Sequence, residues 1–272
     1  MSTKDLFKDL RNSDLSVRMP VVFVGHGNPM NAITDNEYRK VWYELGSRLV
    51  RPSAVLCVSA HWLTEGTYVT VSDKPQTIHD FYGFPDELFK VNYPVSGARN
   101  YAEETISNVT TTKILKDSEY GLDHGAWSVL MNMYPDADIP VYQMSIDITK
   151  SAEYHFNLAK ELSFLRNRGV IVIGSGNVVH NLRMVKWRGE AQPYDWALEF
   201  DEIVKKSIEN DNPSTLTEYE KLGEIGYAAH PTNDHFLPLF YTLGLREKSD
   251  KYEFFNDKID MGSISMRSVI FY

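Results

Sequence analysis

The sequence predicts an α/β fold in which helices cover both faces of a central sheet. Short, continuous apolar runs indicate buried strands, and the segments between them have the spacing of amphipathic helices. Continuous apolar runs are typical of strands covered on both faces. The predicted strands are Val21–Val24, Ala54–Ser59, Tyr68–Val71, Pro140–Met144 and Val170–Ile173, with a last strand over Ser263–Phe271 at an edge of the sheet.

Three segments between the predicted strands are predicted to be helices. Each places apolar side chains three or four residues apart on one face: Tyr38, Val41, Trp42, Leu45 and Leu49 in the first, Leu158, Leu162 and Leu165 in the second, and Trp196, Phe200 and Ile203 in the third. The sequence NDNPS at Asn210–Ser214 predicts a surface loop. No internal repeat or low-complexity tract marks a domain boundary. We therefore expect one catalytic domain over residues 1–272, with its core at about residues 20–272 and a short N-terminal extension.

The composition is that of a globular protein and excludes several classes. Hydrophobic residues make up 43% of the 272 residues and charged residues 24%, which excludes a disordered chain. The 37 acidic residues outnumber the 28 basic ones, and the resulting net charge of −9 disfavours nucleic acid as a partner. The single cysteine, Cys57, excludes an intrachain disulfide and a Cys-rich metal site, and it fits a reducing compartment.

No segment of the sequence predicts a membrane or secretory role. The first twenty residues lack the long apolar stretch of a signal peptide. The longest apolar runs, Ala54–Val58 and Val170–Ile173, are far shorter than the ~20 residues that cross a bilayer. We therefore expect a soluble cytoplasmic protein with no membrane partner.

Three of the eight histidines follow predicted strands within a few residues. His26 follows the first strand, His61 the second and His180 the strand at Val170–Ile173. Ligands of open α/β sheets bind outside the carboxyl ends of the strands, so the three imidazoles are candidates for one site. Each of these histidines, taken alone, is more simply explained as an ordinary loop or core residue. Their shared placement, together with the glycines that flank His26, favours a functional site.

Two further histidines lie in a segment with helix-start signals. In AAHPTNDHFLPLF, Thr232 or Asn233 is predicted to cap a helix, and Pro238 fits its first turn. His235 would then lie at a helix N-terminus, where a side chain is well held and suited to bind a ligand. His230 lies five residues earlier, in the loop.

The remaining three histidines have different surroundings. His124 lies in the turn GLDHGAW, and His79 lies in a loop, HDFYGFP, whose aromatic residues are candidates for a pocket lining. His155 lies on the predicted helix that carries Leu158, and we expect it at the protein surface.

A histidine-rich site without cysteine indicates zinc or non-haem Fe(II), because imidazole suits both metals. The HExxH signature of zinc proteases and the GxSxG turn of serine hydrolases do not occur in the sequence. The glycine-rich turns GHGNP and GSGN lack the spacing of nucleotide-binding loops.

Six motifs in order, GHGNPMNAI, SAHW, HDFYGFP, DHGAWSVL, SGNVVHNLR and HPTNDHFLPL, resemble the 4,5-DOPA extradiol dioxygenase family, a branch of the class III extradiol ring-cleavage dioxygenases. This family is related to the catalytic subunit of protocatechuate 4,5-dioxygenase. The resemblance runs from about Pro20 to the C-terminus. It implies a mixed central sheet with one metal at the carboxyl edge of its strands. The implied activity is insertion of O₂ into a catechol to give a muconic semialdehyde.

The resemblance also implies roles for individual histidines. His26, His61 and His235 match metal ligands. His180 matches the active-site base, which is a fourth ligand in some metal-bound forms. His124 matches a histidine that contacts substrate and assists the base.

The metal implied is one divalent ion per chain, with Fe(II) expected for turnover and zinc in the isolated protein. Distant relatives use two histidines and a carboxylate, whereas here the third position is His235 with Asp234 beside it. Tyr82, Phe84 and Trp62 are candidates to wall the aromatic ring. The alternative functions on this scaffold are a zinc-dependent hydrolase and a non-catalytic metal-binding protein. Neither the ring substituent of the catechol substrate nor the oligomeric state follows from the sequence.

Overall fold

A mixed sheet of eight strands runs through the computed structural model, which describes residues 18–187 and 191–272. The strands are β1 (Val21–Gly25), β2 (Ala54–Thr64), β3 (Thr67–Thr70), β4 (Ile114–Asp117), β5 (Val141–Asp147), β6 (Val170–Gly176), β7 (Tyr252–Phe255) and β10 (Ser268–Phe271). Their order across the sheet is β4-β3-β5-β2-β6-β1-β10-β7. Two further strands, β8 (Ile259–Asp260) and β9 (Ile264–Ser265), pair with each other outside it.

The centre of the sheet is parallel and its margins are antiparallel. β5, β2, β6 and β1 are parallel neighbours, and β10 and β7 follow β1 in antiparallel pairing. On the other side, β3 pairs antiparallel with β5 and parallel with β4. The carboxyl ends of the four central strands therefore meet at one edge of the sheet.

Helices pack on both faces of this sheet. They are α1 (Glu37–Arg48), α2 (Asp86–Phe89), α3 (Arg99–Asn108), α4 (His124–Met133), α5 (Ala152–Glu161), α6 (Phe164–Asn167), α7 (Asp195–Glu209), α8 (Ser214–Thr217), α9 (Glu224–Ala229) and α10 (Leu237–Leu245). Alternate residues of β1 enter two separate cores: Val21 and Phe23 pack with side chains from α5, α7 and α10, whereas Val22 and Val24 pack with those from α1 and α4. The predicted α/β fold class is confirmed.

The predicted helices are confirmed with one change of boundary. The apolar face predicted for α1 is buried, and Asn36 caps its start by accepting a hydrogen bond from the backbone N–H of Arg39. The second predicted helix is interrupted, because α5 ends at Glu161 and α6 begins at Phe164. The segment predicted as a loop at 210–214 connects α7 to α8, whose first residue is Ser214.

The predicted last strand is wrong in two respects. Residues 263–271 form two strands, β9 and β10, and β10 lies between β1 and β7 instead of at an edge. The edge is formed by β7, a strand that the sequence analysis missed because Glu253 interrupts its apolar pattern. All four residues of β10 are buried, as expected for a strand with a neighbour on each side.

The expected N-terminal extension lies almost wholly outside the described residues, so the domain boundaries stay a prediction. Among the residues that are described, none of the helices is both long and apolar enough to cross a membrane.

The expectation that His155 lies at the surface is wrong. Its side chain is completely buried, with Nδ1 lying 3.0 Å from the hydroxyl oxygen of Tyr241 and Nε2 lying 3.2 Å from the carbonyl oxygen of Asp147. A neutral imidazole has one donor and one acceptor, so Nε2–H donates to Asp147 and the Tyr241 hydroxyl donates to Nδ1. His155 thus braces α5 against α10 and the end of β5. Its position three residues before Leu158, on the buried face of α5, was the signal for this location.

We predict that His155 contributes to destabilisation in acid. Burial lowers its pKa from 6.5 to about 4, against the opposing effect of the hydrogen bond to Asp147. Between these values the unfolded chain binds the additional proton, so the free energy of unfolding falls with decreasing pH, by at most about 1.4 kcal/mol per pH unit. His155→Gln should therefore show a shallower decline than the wild type in urea unfolding between pH 6.5 and 4. Parallel curves for the two proteins would contradict the prediction.

Candidate metal centre

Two histidines predicted from strand ends and one predicted at a helix N-terminus meet at the carboxyl edge of the parallel strands. His26 follows β1, His61 lies near the end of β2, and His235 lies two residues before α10. Their ring centroids form a triangle with sides of 5.1 Å between His26 and His61, 5.2 Å between His26 and His235, and 4.9 Å between His61 and His235. The expected convergence of His26 and His61 is thus observed, and His180, the third strand-end histidine, joins them through its contact with His235.

An irregularity in β2 directs His61 into this cluster. The strand continues beyond its predicted end at Ser59 to Thr64, and its pairing with β5 shifts register between Val58 and Leu63. An irregularity of this kind bends the strand and changes the direction of its side chains. The backbone N–H of His61 donates to Ser59 Oγ inside the irregular segment, at 3.2 Å.

The loop that carries His26 requires its glycines. A Cβ atom on Gly25 would lie 2.7 Å from the carbonyl oxygen of Met266, closer than real Cβ contacts. Gly27 has a φ of +61°, in the left-handed region that favours glycine. The glycines beside His26 therefore serve close backbone approach and a sharp turn, as the sequence analysis expected.

The start of α10 differs from its prediction, although Pro238 does lie in the first turn. The helix begins at Leu237, and no side chain caps it, so capping by Thr232 or Asn233 is wrong. The carbonyl oxygen of Asn233 instead accepts hydrogen bonds from the backbone N–H groups of the two residues that lead into the helix. The chain makes a turn of its own there, which places His235 just before the helix.

Each of the three clustered histidines presents Nδ1 to an oxygen atom. His26 Nδ1 lies 3.0 Å from Ser175 Oγ, which itself donates to the carbonyl oxygen of Gly125 and is therefore the acceptor. His235 Nδ1 donates to a carboxylate oxygen of Asp234. His61 Nδ1 lies 3.3 Å from Asp80 Oδ2. The hydrogen bonds assign the proton to Nδ1 of His26 and His235, and the carboxylate beside His61 Nδ1 favours the same tautomer there, which leaves the Nε2 lone pairs available.

Two of these lone pairs approach each other closely. The Nε2 atoms of His26 and His61 are 3.2 Å apart, and with both protons on Nδ1 neither nitrogen can donate to the other. Two imidazole nitrogens that share one transition metal, each about 2.1 Å from it, are separated by about 3.0–3.4 Å. The donor set and its spacing therefore fit a single metal ion.

The neighbouring groups extend the cluster on both sides. Ligand atoms of His26, His61 and His124 lie within 4.8 Å of one another, and the same holds for His180, Asp234 and His235. The ring of His180 stacks on that of His235, with centroids 3.4 Å apart and planes 8° from parallel. All the histidines proposed from the sequence as ligands or catalytic groups are thus brought together.

Burial keeps the clustered histidines neutral near pH 7. Desolvation lowers the pKa of His26 and His235 well below 6.5, and neighbouring imidazoles lower it further. It lowers the pKa of His61 to about 3 and that of His180 to about 4, although nearby carboxylates oppose both shifts. Only neutral imidazole has a lone pair for a metal or a proton, so the rings are held in their reactive form.

His124 and Asp80 form a second layer beside His61. His124 is the first residue of α4, and its ring centroid lies 3.8 Å from that of His61. The carboxylate of Asp80 accepts hydrogen bonds from the backbone N–H of His124 at 2.8 Å and from His124 Nδ1 at 2.9 Å. Burial disfavours the ionised form of Asp80, but the contacts with His124 and His61 outweigh it and lower its pKa. The sequence analysis did not select Asp80, although it lies inside the HDFYGFP motif.

A buried carboxylate, also missed by the sequence analysis, lies behind this layer. Asp123 caps α4 and accepts hydrogen bonds from Ser59 Oγ at 2.6 Å and Gln143 Nε2 at 3.1 Å. Burial raises its pKa, and the nearby charge of Asp80 adds to the effect. Because Ser59 also contacts the backbone of His61, Asp123 ties α4 to the irregular segment of β2.

The aromatic residues proposed to line a pocket for the substrate ring differ in exposure and in their distance from the histidine cluster. Trp62 is buried and stacks on Tyr120, whereas Tyr82 is 92% exposed. Phe84 packs edge-on against Phe81, whose own ring lies edge-on to His124 at 5.6 Å. Phe81 is therefore the aromatic side chain that adjoins the cluster.

His79 and His230 have structural partners. His79 Nε2 donates to the carbonyl oxygen of Val91, and its ring packs beside Phe81. His230 Nε2 donates to the carbonyl oxygen of Val178, and its ring stacks on Phe236.

Asn177 connects the loops that carry the clustered histidines. This fully buried residue donates its backbone N–H to the carbonyl oxygen of His235 at 2.8 Å. Its side-chain amide donates to the carbonyl oxygen of Ser265 at 2.8 Å and accepts from the N–H of Gly27 at 3.4 Å. Asn177 directly follows β6, and its contacts join the loop of His26 to the entry of α10.

Comparison with known proteins gives consistent matches over most of the chain. Residues 20–272 match the family described as the catalytic LigB subunit of aromatic ring-opening dioxygenase. The chain is 45% identical over 268 residues to a protein of Escherichia coli strain K12 named 4,5-DOPA dioxygenase extradiol, covering 97% of this chain and 98% of the relative. A protein of the same name from Beta vulgaris is 33% identical over 255 residues, covering 92% and 95%.

A crystal structure of an uncharacterized protein from Escherichia coli K12 has a similar fold. It is 42% identical to this chain, with a TM-score of 0.82, and the match covers 93% of this chain and 99% of that one.

We predict that Asn177→Ala destabilises the protein. The substitution leaves the Ser265 carbonyl and the Gly27 N–H without their partner, and an unsatisfied buried group costs about 1–3 kcal/mol. The free energy of unfolding from urea titration should fall by that amount or more. Asn157→Ala is the matched control, because Asn157 is exposed on α5, and it should change the value by less than about 0.5 kcal/mol. Equal midpoints for the two variants would count against the role of Asn177.

Proposed function

Because the chain belongs to the LigB family of aromatic ring-opening dioxygenases, we propose that it cleaves a DOPA-like catechol at one divalent metal ion. Its activity is that of an extradiol dioxygenase, which inserts both atoms of O₂ and opens the ring beside the two hydroxyls. The proposed product is a muconic semialdehyde. The observation that carries the proposal is the 3.2 Å approach of the His26 and His61 Nε2 atoms, each on a ring whose Nδ1 faces an oxygen atom. The DOPA-like substituent is proposed from the names of the relatives from Escherichia coli and Beta vulgaris.

His26, His61 and His235 are the proposed metal ligands. Imidazole nitrogen suits both Fe(II) and zinc, and we propose Fe(II) for turnover and zinc in protein isolated in air. When bound, Fe(II) supplies Lewis acidity towards the catechol hydroxyls and the electrons that reaction with O₂ needs. Asp234 is engaged as the acceptor for His235 Nδ1, which supports a set of three neutral ligands.

His180 is the proposed general base, with His124 assisting. The neutral His180 ring can accept the second proton of the catechol and return it later in the reaction. Its stacking on His235 holds the ring plane fixed beside the proposed ligands. His124 contributes a free Nε2, since Asp80 engages its Nδ1. The competing proposal is that His180 is a fourth metal ligand. The two proposals differ in the metal content that they predict for a variant without the His180 side chain.

The substrates of such a reaction are a small aromatic molecule and O₂. We propose residues 20–272 as the catalytic domain, the stretch that the family match covers. A cytoplasmic location is proposed from the single buried Cys57. The net charge of −9 supports the further proposal that nucleic acid is not a partner.

We predict oxygen-dependent ring cleavage by the Fe(II)-loaded protein. Protein loaded with Fe(II) without air and then mixed with O₂ and a panel of catechols should consume O₂ and form the yellow semialdehyde. Zinc-loaded protein is the matched control and should form no product, because zinc has no redox chemistry. Equal ring cleavage by both forms would contradict the assignment of Fe(II). Hydrolysis of esters or amides by the zinc form, without catechol cleavage, would favour a hydrolase.

We predict opposite metal contents for His61→Ala and His180→Ala. Loss of a ligand should remove most of the metal, whereas loss of a base should leave it bound and reduce turnover by about 10²–10⁴-fold. Elemental analysis, melting temperature and rate measured on one preparation of each variant test this. Metal loss in His180→Ala would identify His180 as a fourth ligand, and full metal occupancy in His61→Ala would remove His61 from the site.

A further inference from the structure

One carboxylate oxygen faces two histidines of different proposed roles. Asp80 Oδ2 lies 2.9 Å from His124 Nδ1 and 3.3 Å from His61 Nδ1. The other oxygen, Oδ1, accepts the backbone N–H of His124 at 2.8 Å. The contact with His124 is a hydrogen bond, and the contact with His61 is an ion-pair contact. An ionised carboxylate has lone pairs only, so it favours an N–H on the nitrogen of each ring that faces it.

This arrangement favours the proton on Nδ1 in both rings. Nε2 of His61 then faces Nε2 of His26, and Nε2 of His124 is left free on the far side of its ring. The two rings lie against each other with centroids 3.8 Å apart, so a change in the orientation of one affects the other.

The loop that carries Asp80 is held in place from both ends. The backbone N–H of Ile78 donates to the carbonyl oxygen of Leu122, and the carbonyl oxygen of Ile78 accepts from Trp127 Nε1. On the other side of Asp80, the ring of Phe81 packs edge-on against His124. The Asp80 side chain is 23% exposed, and its two hydrogen bonds to His124 hold it beside both rings.

We propose that Asp80 is a positioning residue that orients His61 and His124 together, and so couples metal binding to proton handling. Carboxylates that accept from the distal N–H of a metal-binding histidine fix its tautomer and raise its basicity. Here the same oxygen hydrogen-bonds to Nδ1 of a proposed assistant of the base and lies 3.3 Å from Nδ1 of a proposed ligand. The part of the proposal that concerns His124 rests on the proposed catechol cleavage, and the part that concerns His61 rests on the proposed metal binding alone.

Asp80→Asn separates this role from a simple support of α4. An Asn side chain still has one oxygen, which can keep the hydrogen bond to the backbone N–H of His124. Its NH₂ group then faces both Nδ1 atoms, which favours the tautomer with the proton on Nε2. The same change at the orienting carboxylate of a Ser-His-Asp triad lowers turnover about 10⁴-fold by this route.

The test measures metal affinity and turnover separately. Competition with a chelator for zinc should show that Asp80→Asn weakens binding by about 10–100-fold. With Fe(II) at saturation, its kcat for catechol cleavage should fall by about 10²–10⁴-fold, with a smaller change in KM. Asp86→Asn is the matched control on the same segment, because Asp86 is exposed at the start of α2, and both measurements should stay at wild-type values.

A double variant shows through which residue each effect acts. In a His124→Ala background, adding Asp80→Asn should cause no further loss of kcat, because its kinetic effect is transmitted by His124. The loss of zinc affinity should persist in that background, because it is transmitted by His61. The zinc measurement stands on its own if no catechol is cleaved, so failure of the proposed function can be told apart from failure of this inference.

Two results would overturn the proposal. Wild-type zinc affinity in Asp80→Asn would show that the carboxylate does not support His61. A full additional loss of kcat in the double variant would show that Asp80 acts without His124. Asp80→Asn could lower the melting temperature, and Asp80→Glu is the second variant for that case. Its side chain is still a carboxylate that only accepts hydrogen bonds, so it should recover at least part of the zinc affinity. Loss of stability with unchanged zinc affinity in both variants would reduce Asp80 to a support of α4.

Discussion

The approach of two unprotonated imidazole nitrogens to 3.2 Å is the contact on which the arrangement at the sheet edge depends. Two lone pairs at that distance repel each other unless a cation lies between them, so the rings must be held there by other bonds. The hydroxyl of Ser175 does this for His26 by accepting from its Nδ1, and the carboxylate of Asp80 lies 3.3 Å from Nδ1 of His61. Asp234 in turn holds His235. These three residues come from different parts of the chain, and the fold must therefore be complete before the site exists.

The sheet and its two cores provide this precision. Parallel strands bring their carboxyl ends to one edge, and buried apolar residues on both faces prevent the strands from shifting along each other. The remaining freedom lies in the loops, and buried polar side chains remove it. Asn177 ties the His26 loop to the entry of α10, and Asp123 ties α4 to β2. Such groups are costly to bury unless every one is paired, so they favour one arrangement of the histidines over others.

How much of this could be predicted from sequence depends on the range of the contacts. The strands β1, β2, β3, β5 and β6, the fold class and the clustering of His26, His61 and His180 follow from local apolar patterns and a general rule about strand ends. The edge strand β4 was not predicted. The strand β7 and the interior place of β10 depend on pairing partners that no local pattern reveals. His155 was misplaced because its polarity outweighed its spacing, yet two partners from other elements satisfy it.

Asp80 shows the same limit at the site itself. It is 44 residues from His124 along the chain and its neighbours are aromatic, so no spacing rule connects the two.

The position of Asp234 bears on why the third proposed ligand is neutral. A carboxylate at this position could bind a metal ion directly. Here the Asp234 carboxylate instead accepts a hydrogen bond from His235 Nδ1, so it would influence the ion only through the His235 ring. Three neutral donors leave the charge of a divalent ion uncompensated, whereas a carboxylate ligand would cancel part of it. A doubly deprotonated catechol carries the charge that balances such an ion. If the proposed ligand set is correct, removal of both catechol protons would be favoured more strongly here than at a site with a carboxylate ligand, and the neutral His180 is the proposed acceptor of the second proton.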